Sequence, residues 1–300
     1  MFNFKYDIKN KKGVIYMNKF GIVLSGGGAK GAYQIGAMKA IKEFNIDVLG
    51  YSGSSIGALN EALLFSQEIT YCENIWKNIK LDDIFEINDY IFNGISTGED
   101  LKNLINNHID ISKIQQSKIP LFVTICTNEE RKEGRYILLN DKTKDEIVLL
   151  LLTSAALPIV YNKVSYNNQL CSDGGLFDNN PINPLYENGI NNLILISMNH
   201  KFSLDNYYPN SEILIIKPSL DLKGLIEGTL NFDKNEILLR LELGYSDAKR
   251  CLNNYFGIPN KHTEEYDNTV ILQNYNYNKL ESKVNGTLEK TKDLFKKYDI

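Results

Sequence analysis

Short apolar runs recur along the chain, and each is bounded by polar or glycine-rich turns. Five of these runs are predicted to be buried strands, at 19–24, 47–52, 120–126, 192–197 and 213–216. Strands that are apolar on both faces are typical of a parallel sheet covered by helices. A sixth run, 135–139, lies close after the third and is predicted to form a hairpin with it.

Stretches with apolar residues every three or four positions lie between these runs and predict helices. They cover 32–44, 58–64, 70–79, 145–156 and 235–251, with a last lysine-rich helix at about 279–297. Strands that alternate with helices indicate an α/β fold class. We therefore expect three α/β/α layers around a mostly parallel central sheet. Within 80–118 only Leu101, Leu104 and Ile105 predict a helix, and the remainder is interpreted as an insertion.

The length of 300 residues suits one large α/β domain. We expect it to span 17–252, with a helical extension at 253–300 packed on it. The first sixteen residues are polar and precede Met17, after which the first strand begins at once. Two readings stay open for 1–16. It is either a disordered tail or untranslated sequence upstream of a true start at Met17.

Charge and composition exclude several classes of partner. The net charge of −4 and the absence of a long Lys/Arg block give no reason to expect nucleic acid. The three histidines lack the spacing of metal ligands, so we expect neither metal nor cofactor. No apolar run reaches the roughly 18 residues of a membrane span. We expect a cytoplasmic protein with four free thiols, at Cys72, Cys126, Cys171 and Cys251.

One candidate for chemistry is the segment Gly53-Ser54-Ser55-Ile56-Gly57, which reads G-x-S-x-G. It lies between a predicted strand and a predicted helix, which is the context of a nucleophile elbow. The motif alone is weak, because a chain of this length contains it by chance with a probability of roughly 0.1. It makes Ser55 a candidate nucleophile.

A glycine loop, Ser25 to Gly31, comes after the first strand and opens a helix. Such a loop directs several backbone N–H groups at one point, where negative charge is stabilised. Gly26-x-Gly28-x-x-Gly31 also satisfies the dinucleotide-binding pattern, but the acidic residue that this pattern needs about 20 residues later is absent. We favour an oxyanion hole beside Ser55 over a dinucleotide site.

A third candidate is the segment from Asp173 to Pro181, which contains Asp173-Gly174-Gly175 and Asn180. Asp173 stands at a predicted strand end, where functional groups of α/β folds collect. On its own the segment also fits an ordinary Asp-Gly turn.

Taken together and in order, these three motifs resemble the patatin-like phospholipase family. The resemblance extends to Ser154-Ala155-Ala156-Leu157-Pro158 and Leu243 to Ala248, and so covers roughly Met17 to Leu252. It implies a Ser–Asp dyad in which Ser55 is the nucleophile and Asp173 the base. It further implies an oxyanion hole at Gly26, Gly27 and Gly28, with supporting positions at Lys30, Gly31, Gly53, Gly57, Gly174, Gly175 and Asn180.

The resemblance implies a serine acyl hydrolase that cleaves fatty-acyl esters of phospholipids, lysophospholipids or related lipids. Any contact with a membrane is expected to be peripheral. Two alternatives stay open: an acyltransferase using the same dyad, and a Rossmann-type nucleotide-binding protein. A triad through His200 is a further, less favoured reading. Lys30 either serves the loop or an anionic head group, or is a solvated surface residue. Core packing is preferred over a mobile flap for Leu222, Leu225 and Ile226.

Overall fold

The computed structural model describes residues 18–84, 98–158, 160–205 and 207–298. The two readings of residues 1–16 lie outside the described residues. Residues 85–97 of the insertion predicted within 80–118 also lie outside the described residues.

Eight strands form one sheet. Their bounds are β1 Lys19–Leu24, β2 Asp47–Ser54, β3 Leu121–Asn128, β4 Glu133–Leu138, β5 Val164–Tyr166, β6 Gln169–Asp173, β7 Asn192–Ile196 and β8 Glu212–Ile216. The order is β5-β6-β3-β2-β1-β7-β8, with β4 paired to β3. The pairs β3–β2, β2–β1, β1–β7 and β7–β8 are parallel. The pairs β3–β4, β3–β6 and β5–β6 are antiparallel. The predicted mostly parallel sheet and the hairpin of β3 with β4 are confirmed.

The helices connect these strands and cover both faces of the sheet. Their bounds are α1 Ala32–Glu43, α2 Ile56–Ser66, α3 Ile69–Asn78, α4 Glu99–His108, α5 Ile111–Gln116, α6 Lys144–Ser154, α7 Asn183–Glu187, α8 Lys234–Tyr255 and α9 Glu264–Tyr298. Side chains alternate across the sheet, because successive strand residues point to opposite faces. In β1, Ile22 and Leu24 join the larger apolar core under α1, α2 and α8, whereas Val23 joins a smaller core on the other face.

The smaller core is covered by the five-residue helix α7 and by loop residues, so the two outer layers are unequal. The predicted α/β fold with flanking helices is confirmed. No helix among the described residues has the length and hydropathy needed to cross a bilayer.

The last helix begins earlier than its sequence pattern indicates. The pattern predicts a start near residue 279, but α9 begins at Glu264. Its first half is stabilised by contacts with α8: Tyr275 donates to Glu236, and Arg250 pairs with Asp267 at 2.6 Å. These tertiary contacts compensate for the weak periodicity of a Tyr- and Asn-rich segment.

Core packing was expected for three residues of the segment between β8 and α8, and the structure confirms it for only one of them. Leu222 is buried, as expected, and Phe232 stacks on the equally buried Trp76. Leu225 and Ile226 are 43% and 78% exposed. The expectation of core packing is therefore wrong for Leu225 and Ile226, because a tight turn carries them away from the core.

Candidate active site

The backbone reverses sharply at Ser55, between the end of β2 and the start of α2. Ser55 has φ 55° and ψ −127°, a conformation that is costly for any residue other than glycine. The turn lies directly against β1: a Cβ on Gly57 would stand 2.1 Å from the Leu24 carbonyl oxygen. The Ser55 N–H donates to the Ser154 hydroxyl at 3.0 Å, which helps to hold the strained residue.

The position of Asp173 results from the way β3 is shared. Strand β4 occupies one edge of β3, so β2 and β6 both pair with the other edge. Ser54 stands opposite Thr124, and Asp173 stands opposite the next residue, Ile125. The ends of β2 and β6 therefore meet, although they are distant in sequence.

The Ser55 hydroxyl donates to Asp173 Oδ2 at 2.6 Å, which is a short charge-assisted hydrogen bond. The other carboxylate oxygen, Oδ1, accepts the Gly175 N–H at 2.8 Å. Together these contacts fix both oxygens of a carboxyl group that is only 4% exposed.

Burial raises the pKa of Asp173 from 3.8 to about 6, and the hydrogen bonds from Ser55 and Gly175 offset only part of that rise. A carboxylate with this pKa is still ionised at neutral pH. It is a stronger base than an exposed aspartate, and it lies within proton-transfer distance of a hydroxyl.

The glycine loop lies beside Ser55, but its three predicted donors are not equivalent. The Gly26 N–H already donates to the Asn179 carbonyl at 3.2 Å. The N–H groups of Gly27 and Gly28 have no acceptor among the described residues. The prediction that Gly26 is an oxyanion donor is therefore not supported, because its N–H is occupied.

Gly28 is the position of the loop where a side chain is least tolerable. Its φ is +57°, and an added Cβ would stand 2.4 Å from the carbonyl oxygen of Thr229. The loop is thus packed between the elbow on one side and the segment before α8 on the other. The Gly31 carbonyl, at its far end, accepts a hydrogen bond from Asn60 at 3.0 Å.

Asn179 holds the glycine loop, a role that the sequence did not single out. Besides its backbone contact, its side-chain amide donates to the Gly26 carbonyl at 3.4 Å. The neighbouring Asn180 bonds locally, with its N–H on Asp178. The Asn-Asn pair was visible in the sequence, but only the backbone path decides which of the two faces the loop.

The remaining predicted glycines permit close backbone packing around the site. Gly53 lies against the first turn of α2, and Gly174 lies against the Thr124 carbonyl. Ser154, which was noticed only as part of a motif, supplies the hydroxyl that accepts the Ser55 N–H.

Ser55 and Asp173 open onto a cavity of about 340 Å³. Its walls are largely aliphatic and aromatic, and the apolar residues lining it are Ile56, Leu59, Ile84, Leu101, Ala155, Leu157, Val160, Tyr161, Leu176, Leu225, Leu230 and Phe232. Lys30 also lines the cavity. Burial lowers the pKa of its ammonium group, and the nearby Arg240 guanidinium lowers it further. The solvated-surface reading of Lys30 is therefore not supported.

None of the three histidines belongs to the described residues that line this cavity. His200 instead lies 3.5 Å from Asp221, so the triad reading receives no support. Among the described residues, no three His, Cys, Asp or Glu side chains cluster in a way that could hold a metal ion.

Comparison with known structures supports the fold. VipD from Legionella pneumophila aligns with a TM-score of 0.53 at 14% identity, covering 82% of this chain and 69% of VipD. At that identity the likeness concerns the fold alone.

Sequence relatives cover only part of the chain. Lysophospholipase NTE1 of Cryptococcus neoformans is 28% identical over 195 residues, which is 60% of this chain and 11% of that protein. Neuropathy target esterase sws of Drosophila melanogaster is 27% identical over 194 residues, or 63% of this chain and 13% of that protein. This chain thus spans roughly a tenth of those two relatives' length.

A smaller relative is Probable lipid hydrolase 463L of Invertebrate iridescent virus 6. It is 26% identical over 178 residues, which is 54% of this chain and 61% of that protein. A family model described as patatin-like phospholipase matches residues 22–186, more than half of the chain. This match begins in β1 and runs through the elbow, Asp173 and α7. The chain therefore belongs to the patatin-like phospholipase family.

Proposed function

We propose that this chain is a serine acyl hydrolase that cleaves fatty-acyl esters of phospholipids, lysophospholipids or related lipids. The observation that carries the proposal is the 2.6 Å hydrogen bond from the Ser55 hydroxyl to Asp173 at the wall of an apolar cavity. The names of the relatives, which include a lysophospholipase, a lipid hydrolase and an esterase, agree with this chemistry.

In the first half of the reaction, Ser55 Oγ attacks the acyl carbonyl carbon while Asp173 Oδ2 takes the hydroxyl proton. The negative charge that develops on the carbonyl oxygen is stabilised by the N–H groups of Gly27 and Gly28. The tetrahedral intermediate then collapses. Asp173 returns the proton to the departing alcohol, and the acyl group remains on Ser55 as an ester.

In the second half, water attacks the acyl-enzyme. Asp173 takes a proton from the water, the same N–H groups stabilise the new oxyanion, and the proton returns to Ser55 Oγ as the fatty acid leaves. The aliphatic wall of the cavity suits the acyl chain, since burial of its methylene groups favours binding. Lys30, at the same cavity, suits an anionic part of the lipid.

Neither alternative is favoured. Transfer to an alcohol other than water would use the same residues, and no observation selects it. A dinucleotide site would need an acidic residue at the end of β2, where Ser54 and Ser55 stand instead.

A fluorophosphonate probe tests the nucleophile directly. We expect labelling of the wild type, loss of labelling in Ser55→Ala, and labelling close to wild type in Ser54→Ala. Ser54 is a matched control because it is the adjacent serine and is fully buried. Folded wild type that resists the probe, or Ser55→Ala that still reacts, would overturn the proposal.

Mass spectrometry of fatty acids released from mixed phospholipids then tests the substrate class. We expect release by the wild type and none above background by Ser55→Ala. Labelling without release of any fatty acid would contradict the lipid assignment while leaving the nucleophile intact.

A further inference from the structure

The segment between β8 and α8 forms a compact turn at the edge of the cavity. Residues 223–227, here called the tip, are all exposed, whereas Leu222 and Gly228 on either side are buried. Two adjacent large apolar residues stand in the tip, Leu225 at 43% and Ile226 at 78% exposure. Leaving such side chains in water is unfavourable, so an apolar partner that covers both would stabilise the bound state.

The tip is held in place by its own backbone. The N–H groups of Gly228 and Thr229 both donate to the Gly224 carbonyl, at 3.0 and 3.1 Å, and Leu230 donates to Leu225 at 2.9 Å. This is the i→i+5 pattern of a π-type turn, which is frequent at functional sites.

Arg240, which is 1% exposed, anchors the same turn from α8. Its guanidinium group donates to the Asn231 carbonyl at 2.8 Å and to the Glu227 carbonyl at 3.4 Å. A turn held in this way presents Ile226 with little backbone ordering cost on binding, since its backbone is already fixed.

The tip is continuous with the candidate active site. Leu225 both lines the cavity of Ser55 and reaches solvent. At the other end of the turn, the Thr229 carbonyl packs against Gly28 of the glycine loop. A surface that covers Ile226 would therefore lie at the opening through which an acyl chain reaches Ser55.

The charges of the tip indicate which kind of lipid surface it can contact. Lys223 and Glu227 are the only charged residues of the tip, and their charges cancel. A strongly anionic surface is thus not favoured by the tip itself, whereas a zwitterionic one is compatible with an inserted isoleucine between two opposite charges.

We propose that the tip docks on a zwitterionic phospholipid bilayer, with Ile226 inserted at the level of the acyl chains beside the cavity opening. The inference rests on the proposed function, because it assigns the bilayer as the source of the lipid ester. It gives the exposed side chains of Leu225 and Ile226 an apolar partner at the edge of the cavity.

Sedimentation with sucrose-loaded phosphatidylcholine vesicles tests the docking. Ser55→Ala is the parent, so that the vesicles are not consumed. We expect Ile226→Asp in that parent to lower the partition coefficient about tenfold, as expected when one inserted isoleucine is lost. Raising the salt concentration should leave binding of the parent nearly unchanged, since the insertion is apolar.

Tyr207→Asp is the matched control. Tyr207 is 86% exposed and lies in the loop before β8, whereas the tip lies in the segment after β8. Tyr207→Asp, made in the Ser55→Ala parent, should bind vesicles as tightly as the parent does. On a short-chain ester dissolved as monomers, the single variant Ile226→Asp should hydrolyse at the wild-type rate, which also shows that it folds.

Three results would overturn the docking: no vesicle binding by the parent, equal binding by Ile226→Asp, or an equal loss in Tyr207→Asp. A fourth result would also overturn it. If Ile226→Asp lowered hydrolysis of the soluble ester as much as it lowered vesicle binding, Ile226 would act in the reaction and not in docking. Binding is measured without catalysis. Docking with no hydrolysis by the wild type therefore contradicts the proposed function alone.

Discussion

At the scale of single residues, Asp173 meets two requirements of a general base that usually conflict. Exposed aspartates are ionised at neutral pH but are weak bases, and fully buried ones are stronger bases but are often protonated. Burial here raises the pKa of Asp173 to about 6, and the Ser55 and Gly175 donors keep it from rising further. The carboxylate form therefore predominates at pH 7 without a histidine partner.

The first prediction concerns the pH dependence of kcat/KM on a soluble ester. Because the free enzyme must hold Asp173 ionised, activity should rise with pH and level off above a midpoint near 6. Below that midpoint we expect a tenfold loss per pH unit. Asp173→Asn should lower kcat by about 10²- to 10⁴-fold, which is the usual contribution of a general base. If the residual kcat/KM of Asp173→Asn still rose with a midpoint near pH 6, the result would contradict the assignment of Asp173 as the base.

Glu61 is a second buried carboxyl group, and it takes no part in the proposed mechanism. It lies on α2 and is fully buried. Neither of its carboxyl oxygens has a hydrogen-bond partner among the described residues. Burial raises the pKa of Glu61 well above its usual value, because no partner compensates the ionised form for the loss of water.

The second prediction is that Glu61→Met stabilises the protein. Replacing an unsatisfied buried carboxyl by an apolar side chain of similar volume should add about 1–3 kcal/mol to the free energy of unfolding. The gain should be larger at pH 8 than at pH 5. Urea denaturation measures it, and Glu289→Met on the exposed part of α9 serves as the control. A destabilised Glu61→Met would show that the carboxyl group has a partner that stabilises it.

At the scale of elements, the shared edge of β3 brings the catalytic candidates together. Strand β3 pairs with β2 up to Thr124 and with β6 from Ile125 onward. The ends of β2 and β6 therefore adjoin each other without a gap. The geometry of Ser55 and Asp173 is therefore set by backbone hydrogen bonds, which position side chains more firmly than a loop does.

The third prediction concerns the glycine loop. Gly28→Ala should lower kcat by about 10²- to 10³-fold, the cost of losing one oxyanion donor. The added methyl group meets the Thr229 carbonyl, and φ +57° disfavours alanine, so the N–H groups must shift. Gly224→Ala is the control, because its Cβ meets nothing within 4 Å. Fluorophosphonate labelling rates and kcat report the effect. Equal activity in the two variants would argue against the loop as the oxyanion hole.

The sequence predicted those elements whose signals are local. Continuous apolar runs located the parallel strands, and the glycine spacing located the elbow at Ser55. Long-range contacts carried no such signal. The start of α9 depends on its packing against α8. The choice between Asn179 and Asn180, and the loss of the Gly26 N–H to Asn179, depend on the backbone path after Asp173. The burial of Glu61 was not predicted either, because the sequence does not show how deeply a helix residue is buried.

At the scale of the whole molecule, several buried carboxyl groups link stability to pH. Burial raises the pKa of Asp173 and of Asp247 to about 6 each, and it raises the pKa of Glu61 well above its usual value. Asp247 also bonds with Tyr33 and Ser219, so it joins α1, α8 and the segment after β8. In the unfolded chain these groups lose their protons near pH 4.

The fourth prediction concerns the direction in which these raised pKa values change the free energy of unfolding with pH. Between about pH 4 and pH 6 the folded state holds protons that the unfolded state has lost, so the stability contributed by these groups falls as pH rises. For Asp173 the rise from 3.8 to about 6 corresponds to about 3 kcal/mol. Part of that loss has already occurred at pH 4, so between pH 4 and pH 7.5 the stability of Asp173→Asn should fall by about 2–2.5 kcal/mol less than that of the wild type. Urea unfolding at the two pH values measures the difference, and parallel pH dependences would contradict it.

The shared edge of β3 also has a consequence for synthesis of the protein. Ser55 and Asp173 are 118 positions apart, and β3 and β6 both lie beyond the elbow in the chain. A nascent chain that has emerged only as far as the elbow contains the candidate nucleophile, but it lacks both the candidate base and the strand that aligns the two residues. Ser55 therefore stays without its proposed base until synthesis has passed Asp173 and β6 has paired with β3.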